Sequence, residues 1–227
     1  MASNRERPVQ RKVMSARKTS TVSLKRSSRV QPKQKRPPPQ RSPRLPTALK
    51  HVVLQHGVRR SRFVLCVSVA EQSMALFEKA ETRPRTAEFP SYEFRRRFVI
   101  STSRFGIGQV MDSNRTPLGL HRIARKVGGD CPEGTVFKAR KPIGHLSEGM
   151  PEGSIVHRIL WLDGLEPGKN RGGNVDTFNR YIYIHGYWDE ATLGRPQSMG
   201  CIHLAAADLI PLYDELPVGT LLWIARR

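Results

Sequence analysis

The sequence predicts a mainly β domain with one helix, preceded by a disordered basic arm. Short apolar runs rich in β-branched residues recur between residues 62 and 225, separated by Gly and Pro clusters. Only one stretch, residues 205–216, repeats apolar residues at helical spacing. The first 50 residues hold 15 Lys or Arg against a single acid, Glu6, in a background dense in Ser, Gln and Pro.

The strand candidates follow in order. Residues 62–70 (RFVLCVSVA) and 74–78 (MALFE) flank a short polar turn and form the first pair. Residues 94–101, 118–125, 134–139, 153–162, 181–185 and 220–225 are further strands by the same criterion. In residues 205–216 (AAADLIPLYDEL), Leu209, Leu212, Tyr213 and Leu216 share one side. Pro211 fits poorly inside a helix, so a short helix starting near Asp208 is expected.

Hydrophobic residues make up 38% of the chain and mean hydropathy is -0.48, so part of the chain is expected to stay outside any core. That part is residues 1–55, since a run such as RPPPQRSPRLP buries too little apolar surface to offset its ordering entropy. The folded domain then spans residues 60–226. The arm's charge suits an anionic polymer such as nucleic acid, acidic lipid or wall polymer, or else it is a solvated tail with no specific partner.

Cys66, Cys131 and Cys201 are odd in number and form no CxxC, which argues against a disulfide framework or a zinc ribbon. One reactive thiol and two bystanders is the simplest account. No stretch approaches the roughly 20 apolar residues of a membrane span, and no apolar core follows the basic N-terminus, so neither a transmembrane segment nor a secretory signal is readable.

The chemistry-bearing stretch is residues 181–204 (YIYIHGYWDEATLGRPQSMGCIHL). A β run ends at His185-Gly186, and Ser198-Met199-Gly200-Cys201 follows, with Cys201 16 residues after His185. A thiol near its free pKa is mostly protonated at neutral pH and needs a base or a positive environment. An imidazole can take that proton and return one to a leaving amine. Gly200 allows close backbone approach and an unusual φ, so amides of residues 199–201 can form an oxyanion hole. A Cys and a His at this spacing are equally compatible with ordinary structural roles.

This stretch resembles the L,D-transpeptidase catalytic domain family, in which a strand-end His-Gly precedes Ser/Thr-His-Gly-Cys by a similar spacer. Further likeness lies in Thr116-Pro117-Leu118-Gly119, Arg158-Ile159-Leu160-Trp161-Leu162, Gly168-Lys169-Asn170, Arg180-Tyr181-Ile182-Tyr183-Ile184 and Val218-Gly219-Thr220. Together they cover residues 60–225 without the arm. The resemblance implies a curved mixed sheet or β-sandwich with one or two short helices. It also implies acyl transfer on peptidoglycan stem peptides by a monomer of the cell envelope or periplasm, with no metal or cofactor.

By position, the resemblance makes Cys201 the nucleophile and His185 the general base and acid, with the Gly186 carbonyl orienting His185. Ser198 and Gly200 shape the nucleophile loop. Met199 stands where the family usually has His, and His203 where it has Arg or Asn; both bear on substrate orientation and rate rather than on reaction class. Tyr187 and Trp188 are candidates for a peptide groove, and Arg158 for binding a substrate carboxylate. Trp161 and Tyr183 are expected to pack in the sheet, His121 to be a strand residue and Cys66 a core residue; Cys131 is assigned no role. The competing account is a catalytically divergent protein that binds wall polymer or nucleic acid through the arm.

Overall fold

The computed structural model describes residues 43–81, 88–149 and 155–227. Arm residues 1–42 and the start of the 153–162 strand candidate lie outside the described residues. The remainder is mainly β, with ten strands and two α-helices. In chain order these are α1 (Thr47–Gln55), β1 (Phe63–Ser68), β2 (Ser73–Lys79), β3 (Tyr92–Ser101), β4 (Gly119–Val127), β5 (Thr135–Lys138) and β6 (Lys141–His145). They continue with β7 (Ile155–Gly164), β8 (Tyr183–Gly186), β9 (Ile202–Leu204), α2 (Ala206–Glu215) and β10 (Leu221–Ala225).

Side by side, the strands run β4, β10, β1, β2, β3, β9, β8 and β7, and β7 pairs back onto β4, which closes the sheet into a barrel. Closure leaves these strands without a free edge. The β5–β6 hairpin extends from the start of β7. Alternate residues from around the barrel, among them Leu65, Leu76, Ile100, Leu160, Ile184 and Ile202, fill its interior and are fully buried. Strands β1 and β10 are apolar on both faces because α1 covers their outer side, where Leu49 and Val53 pack with Val64, Phe77, Leu221 and Trp223.

Two expectations are corrected. Residues 47–55, assigned by composition to the arm, form a helix. The sequence TALKHVVLQ places Leu49 and Val53 one turn apart, and both are buried. Their burial outweighs the basic composition of the neighbouring residues. Helix α2 starts at Ala206 rather than near Asp208, with Pro211 inside it. Pro211 and Ala207 face solvent, so the Ala207 carbonyl that loses its helical partner can be hydrated.

Helix α2 is also held at both ends by distant side chains. Glu190 Oε1 accepts from the Ala206 N–H at 2.6 Å, and Lys126 Nζ donates to the Tyr213 and Leu216 carbonyls. Strands β6 and β9 went unpredicted. KPIGH is exposed and lacks alternation, and IHL is too short to show a period.

The turn before β4 is fixed by a buried polar staple. Asn170 Nδ2 donates to the Leu118 and Leu120 carbonyls at 3.1 Å each, while its Oδ1 accepts from the Glu166 N–H at 2.9 Å. Glu166 Oε1 accepts from the Leu120 N–H at 2.6 Å. A Cβ on Gly164 would lie 1.9 Å from the Asn170 carbonyl oxygen, so β7 must end in glycine for this loop to close. Among the described residues no helix is long and apolar enough to cross a membrane.

Leu49→Ala is expected to destabilise the domain by about 2–4 kcal/mol, read as a lower denaturant midpoint, while exposed His51→Ala leaves the midpoint unchanged. An unaltered midpoint for Leu49→Ala would return residues 47–55 to the arm.

Candidate active site

Strands β8 and β9 are parallel, with Ile184 opposite Ile202 and His185 opposite His203. Ile184 and Ile202 point into the barrel. Alternation therefore sends Tyr183 and His185 to the outer face of β8, and Cys201 and His203 to the same face of the neighbouring chain. The thiol and the imidazole stand one diagonal step apart across two adjacent strands.

Cys201 is half-buried and packs beside the outer cluster of Ile159, Trp161 and Tyr183. Its S–H donates to the Tyr181 carbonyl at 3.5 Å, and its sulfur accepts from the Tyr183 N–H at 3.4 Å. Burial pushes the thiol up to about 11, against the smaller lowering influence of the Tyr183 N–H and the Arg180 guanidinium. Tyr181 holds a φ of +55°, the left-handed region that a bulky residue rarely adopts. That conformation aims its carbonyl at the sulfur. Arg180 is anchored by the carbonyls of Gly108, Gln109 and Arg115 at 3.2, 2.9 and 2.6 Å.

His185 is buried, and its Nδ1 lies 2.7 Å from the Gly186 carbonyl. A carbonyl only accepts, so Nδ1 carries the proton and Nε2 keeps its lone pair. Burial holds the imidazole down at about 4, opposed by that hydrogen bond. The free site therefore holds a neutral thiol and a neutral imidazole at neutral pH. Gly186 is required sterically, because a Cβ there would meet His157 Cδ2 at 2.5 Å and the Val156 carbonyl at 2.7 Å. Strand β7 bulges at that point, between Val156 and Ile159.

His203 packs edge-on to His185 with ring centres 4.8 Å apart, and Tyr187 stacks on it at 4.4 Å. Its Nδ1 is buried without a partner. Burial and the neighbouring His185 both depress its pKa.

The loop that carries Cys201 is tied from two sides. Ser198 Oγ donates to the Cys201 carbonyl and accepts from the Gly200 N–H. Thr116 Oγ1 donates to the Gly200 carbonyl at 3.0 Å and accepts from the Ser103 N–H at 3.0 Å. Gly200 has a φ of +120°, and a Cβ there would crowd Ile182. The Gly200 amide is thus occupied by Ser198, which leaves any oxyanion role to the amides of Met199 and Cys201.

Of the residues singled out from sequence, Cys201, His185, Gly186, Gly200, Ser198, His203 and Tyr187 come together here. Met199 is exposed in the loop before Cys201, and Trp188 is exposed beside Tyr187. Arg158 is not among them. It is buried, donates to the His157 carbonyl at 2.8 Å and lies over the Tyr213 ring of α2. Trp161 and Tyr183 are packed, while His121 is a buried strand residue bonded to the Gly119 carbonyl and Thr177 Oγ1. Cys66 is half-buried against the α1 cluster. Cys131 borders the Trp161 cluster. Among the described residues no three His, Cys, Asp or Glu side chains are grouped to hold a metal.

Sequence reading missed Arg140 and Arg125. Arg140 donates to the Tyr183 hydroxyl at 3.1 Å and lies over the rings of Trp161 and Tyr181 at 4.8 and 4.9 Å. Arg125 lies over Trp161 and Phe178, which stack at 4.1 Å. Arg140 sits in the β5–β6 turn, where Ala139 and Arg140 both have positive φ. Such turns usually carry Asn or Gly, so KARK gives no hairpin signal.

No curated protein sequence matches this one at a significant level. Among solved structures, an L,D-transpeptidase from Mycobacterium smegmatis is 15% identical, with 72% of this chain and 58% of that one covered and a TM-score of 0.42. L,D-transpeptidase 3 from Mycobacterium tuberculosis is 16% identical, with 72% and 61% covered and a TM-score of 0.42. A protein of Bdellovibrio bacteriovorus is 16% identical, with 74% and 49% covered and a TM-score of 0.45. This chain spans less than two thirds of the length of these solved chains. The sequence model of the L,D-transpeptidase catalytic domain matches residues 62–224, from the start of β1 to β10, and the chain belongs to that family.

Proposed function

We propose that this domain is a peptidoglycan L,D-transpeptidase with Cys201 as nucleophile and His185 as general base and acid. The observation that carries the reading is the placement of Cys201 and His185 on one face of adjacent parallel strands, inside a domain of this family.

Substrate binding brings a stem-peptide carbonyl, at the third residue of a tetrapeptide, against the sulfur. His185 Nε2 takes the thiol proton as the S–C bond forms, and the Met199 and Cys201 amides face the developing oxyanion. Collapse expels D-Ala, whose amine takes the proton from His185. The acyl group remains on Cys201 as a thioester. An amine of a second stem then attacks, giving its proton to His185, and the returning proton restores the thiol. The C–S bond breaks as the C–N bond forms, and the amide product is a crosslink. An enzyme running this cycle would act where peptidoglycan lies, in the cell envelope, and the steps draw on no metal or cofactor.

The resting electrostatics constrain this cycle. With the thiol pushed up to about 11 and the imidazole held at about 4, proton transfer is uphill in the empty site. The Arg180 charge already acts on the thiol at rest, so bound substrate must narrow the gap, and acylation is coupled to substrate binding. Exposed Tyr181, Trp188 and Met199 offer apolar walls, and Arg140, which lies over Tyr181, offers a forked cation for a stem carboxylate.

Incubation with a carbapenem is expected to add one drug mass to the protein, read by intact mass spectrometry, and to add none to Cys201→Ala. His185→Ala should slow the adduct by about 10²–10⁴-fold. An unmodified wild type would instead favour a non-catalytic binding domain.

In the free protein, iodoacetamide labelling of Cys201, mapped by peptide mass, is expected to rise about tenfold per pH unit through the alkaline range toward 11. Only the thiolate reacts, and the raised pKa keeps the thiol protonated below that range. A plateau reached below pH 7 would show a preformed ion pair and contradict the neutral resting state.

Arg140→Ala is expected to raise KM for a stem tetrapeptide about tenfold, with kcat within about twofold, because a charge-assisted hydrogen bond contributes about 1.5 kcal/mol. Arg140→Lys should keep part of the effect. A fall in kcat alone would remove Arg140 from substrate binding.

A further inference from the structure

A second site lies at the end of the barrel formed by the α1–β1 connection, β4, the β7–β8 loop and the turn before β10. There a cleft of about 650 Å³ is lined by His56, Arg59, Arg60, Arg62, Arg122 and Arg171. None of its lining residues belongs to the group around Cys201 and His185. No Asp or Glu lines it.

Charge accounting separates the arginines. Arg62 is paired with Glu78 at 2.6 Å, and Arg122 with Asp163 at 2.7 Å. Glu78 is also shared with Arg95, so its charge is divided. Arg60 donates only to the Glu88 carbonyl, at 3.3 Å. Arg59 and Arg171 make no side-chain hydrogen bond or salt bridge among the described residues. Three guanidinium groups thus line one cleft without a carboxylate partner among the described residues.

Gathering like charges around one concavity disfavours the compact state and raises the local concentration of anions. Guanidinium forks match the oxygens of phosphate, and several converging on one point are characteristic of phosphate recognition. The cleft volume falls within the range of small-molecule sites, about 300–1,000 Å³. It exceeds the space a lone phosphate needs. Leu165, Pro167 and Pro217 supply an apolar and stiff part of the wall for the remainder of the ligand.

We propose that this cleft binds a small organic phosphate, with Arg59, Arg60 and Arg171 holding the phosphate oxygens. The proposal is independent of the reading of Cys201.

The test is calorimetric titration of the full chain with inorganic pyrophosphate and ADP at low salt. Both are expected to bind saturably at one site. Arg59 and Arg171 are exposed, so Arg59→Gln with Arg171→Gln should leave the thermal midpoint within a few degrees while weakening both probes tenfold or more. A charge-matched pair elsewhere, Lys138→Gln with Arg195→Gln, should change affinity less than twofold. Tighter binding of ADP than of pyrophosphate would assign the apolar wall to the organic part of the ligand. Equal weakening in both double variants, or no saturable binding to the wild type, would reduce the cleft to general basicity and overturn the proposal.

Discussion

The parallel pairing of β8 with β9, His185 opposite His203, is the constraint on which the site depends. Adjacent parallel strands cannot be joined by a tight turn; the chain must return to its starting end, which takes a dozen or more residues. The interval between His185 and Cys201 is therefore a length the topology demands. A one-residue slip in this register would turn Cys201 or His185 into the barrel interior. The barrel prevents that slip, because Ile184 and Ile202 are fully buried on the opposite face.

The same arrangement sets the electrostatics. Two nearly dry groups, one acidic and one basic, are both held neutral because neither is given a strong counter-charge at rest. Cys201 has two weak backbone contacts, and His185 has one carbonyl. The unusual backbone of Tyr181 supplies one of these contacts. His203 adds a second imidazole ring, with an unpartnered nitrogen. The outer face of β8 and β9 is thus a low-dielectric patch, where a charge appears only when something nearby compensates it.

Precision around Cys201 comes from loops rather than from the strands. Thr116 joins the Ser103 and Gly200 backbones, and Asn170 holds the segment that follows Thr116. The Thr116-Pro117-Leu118-Gly119 and Gly168-Lys169-Asn170 segments, distant from Cys201 in sequence, are parts of one support beneath the Cys201 loop. This explains how a domain with Met199 and His203 at two family positions can keep the backbone geometry around its thiol: that geometry is set by side chains elsewhere.

The sequence by itself determined eight of the ten strands and the single late helix, and it singled out Cys201, His185 and Gly186, because period-two burial and glycine requirements are local and leave a local record. Residues whose partners are distant in sequence left none. Arg158 looked suited to a carboxylate but turned toward α2, since the bulge in β7 decides which way it faces. Arg140 took its place beside the aromatic wall through a turn without turn residues. Helix α1 was hidden by the composition of its neighbours, and Pro211 was tolerated because Glu190 and Lys126 hold α2 from elsewhere. The arginine cleft gathers four segments that no reading along the chain would join. Propensity and alternation act over a few residues, whereas orientation, capping and charge clustering arise only when the barrel closes and brings remote segments within bonding distance.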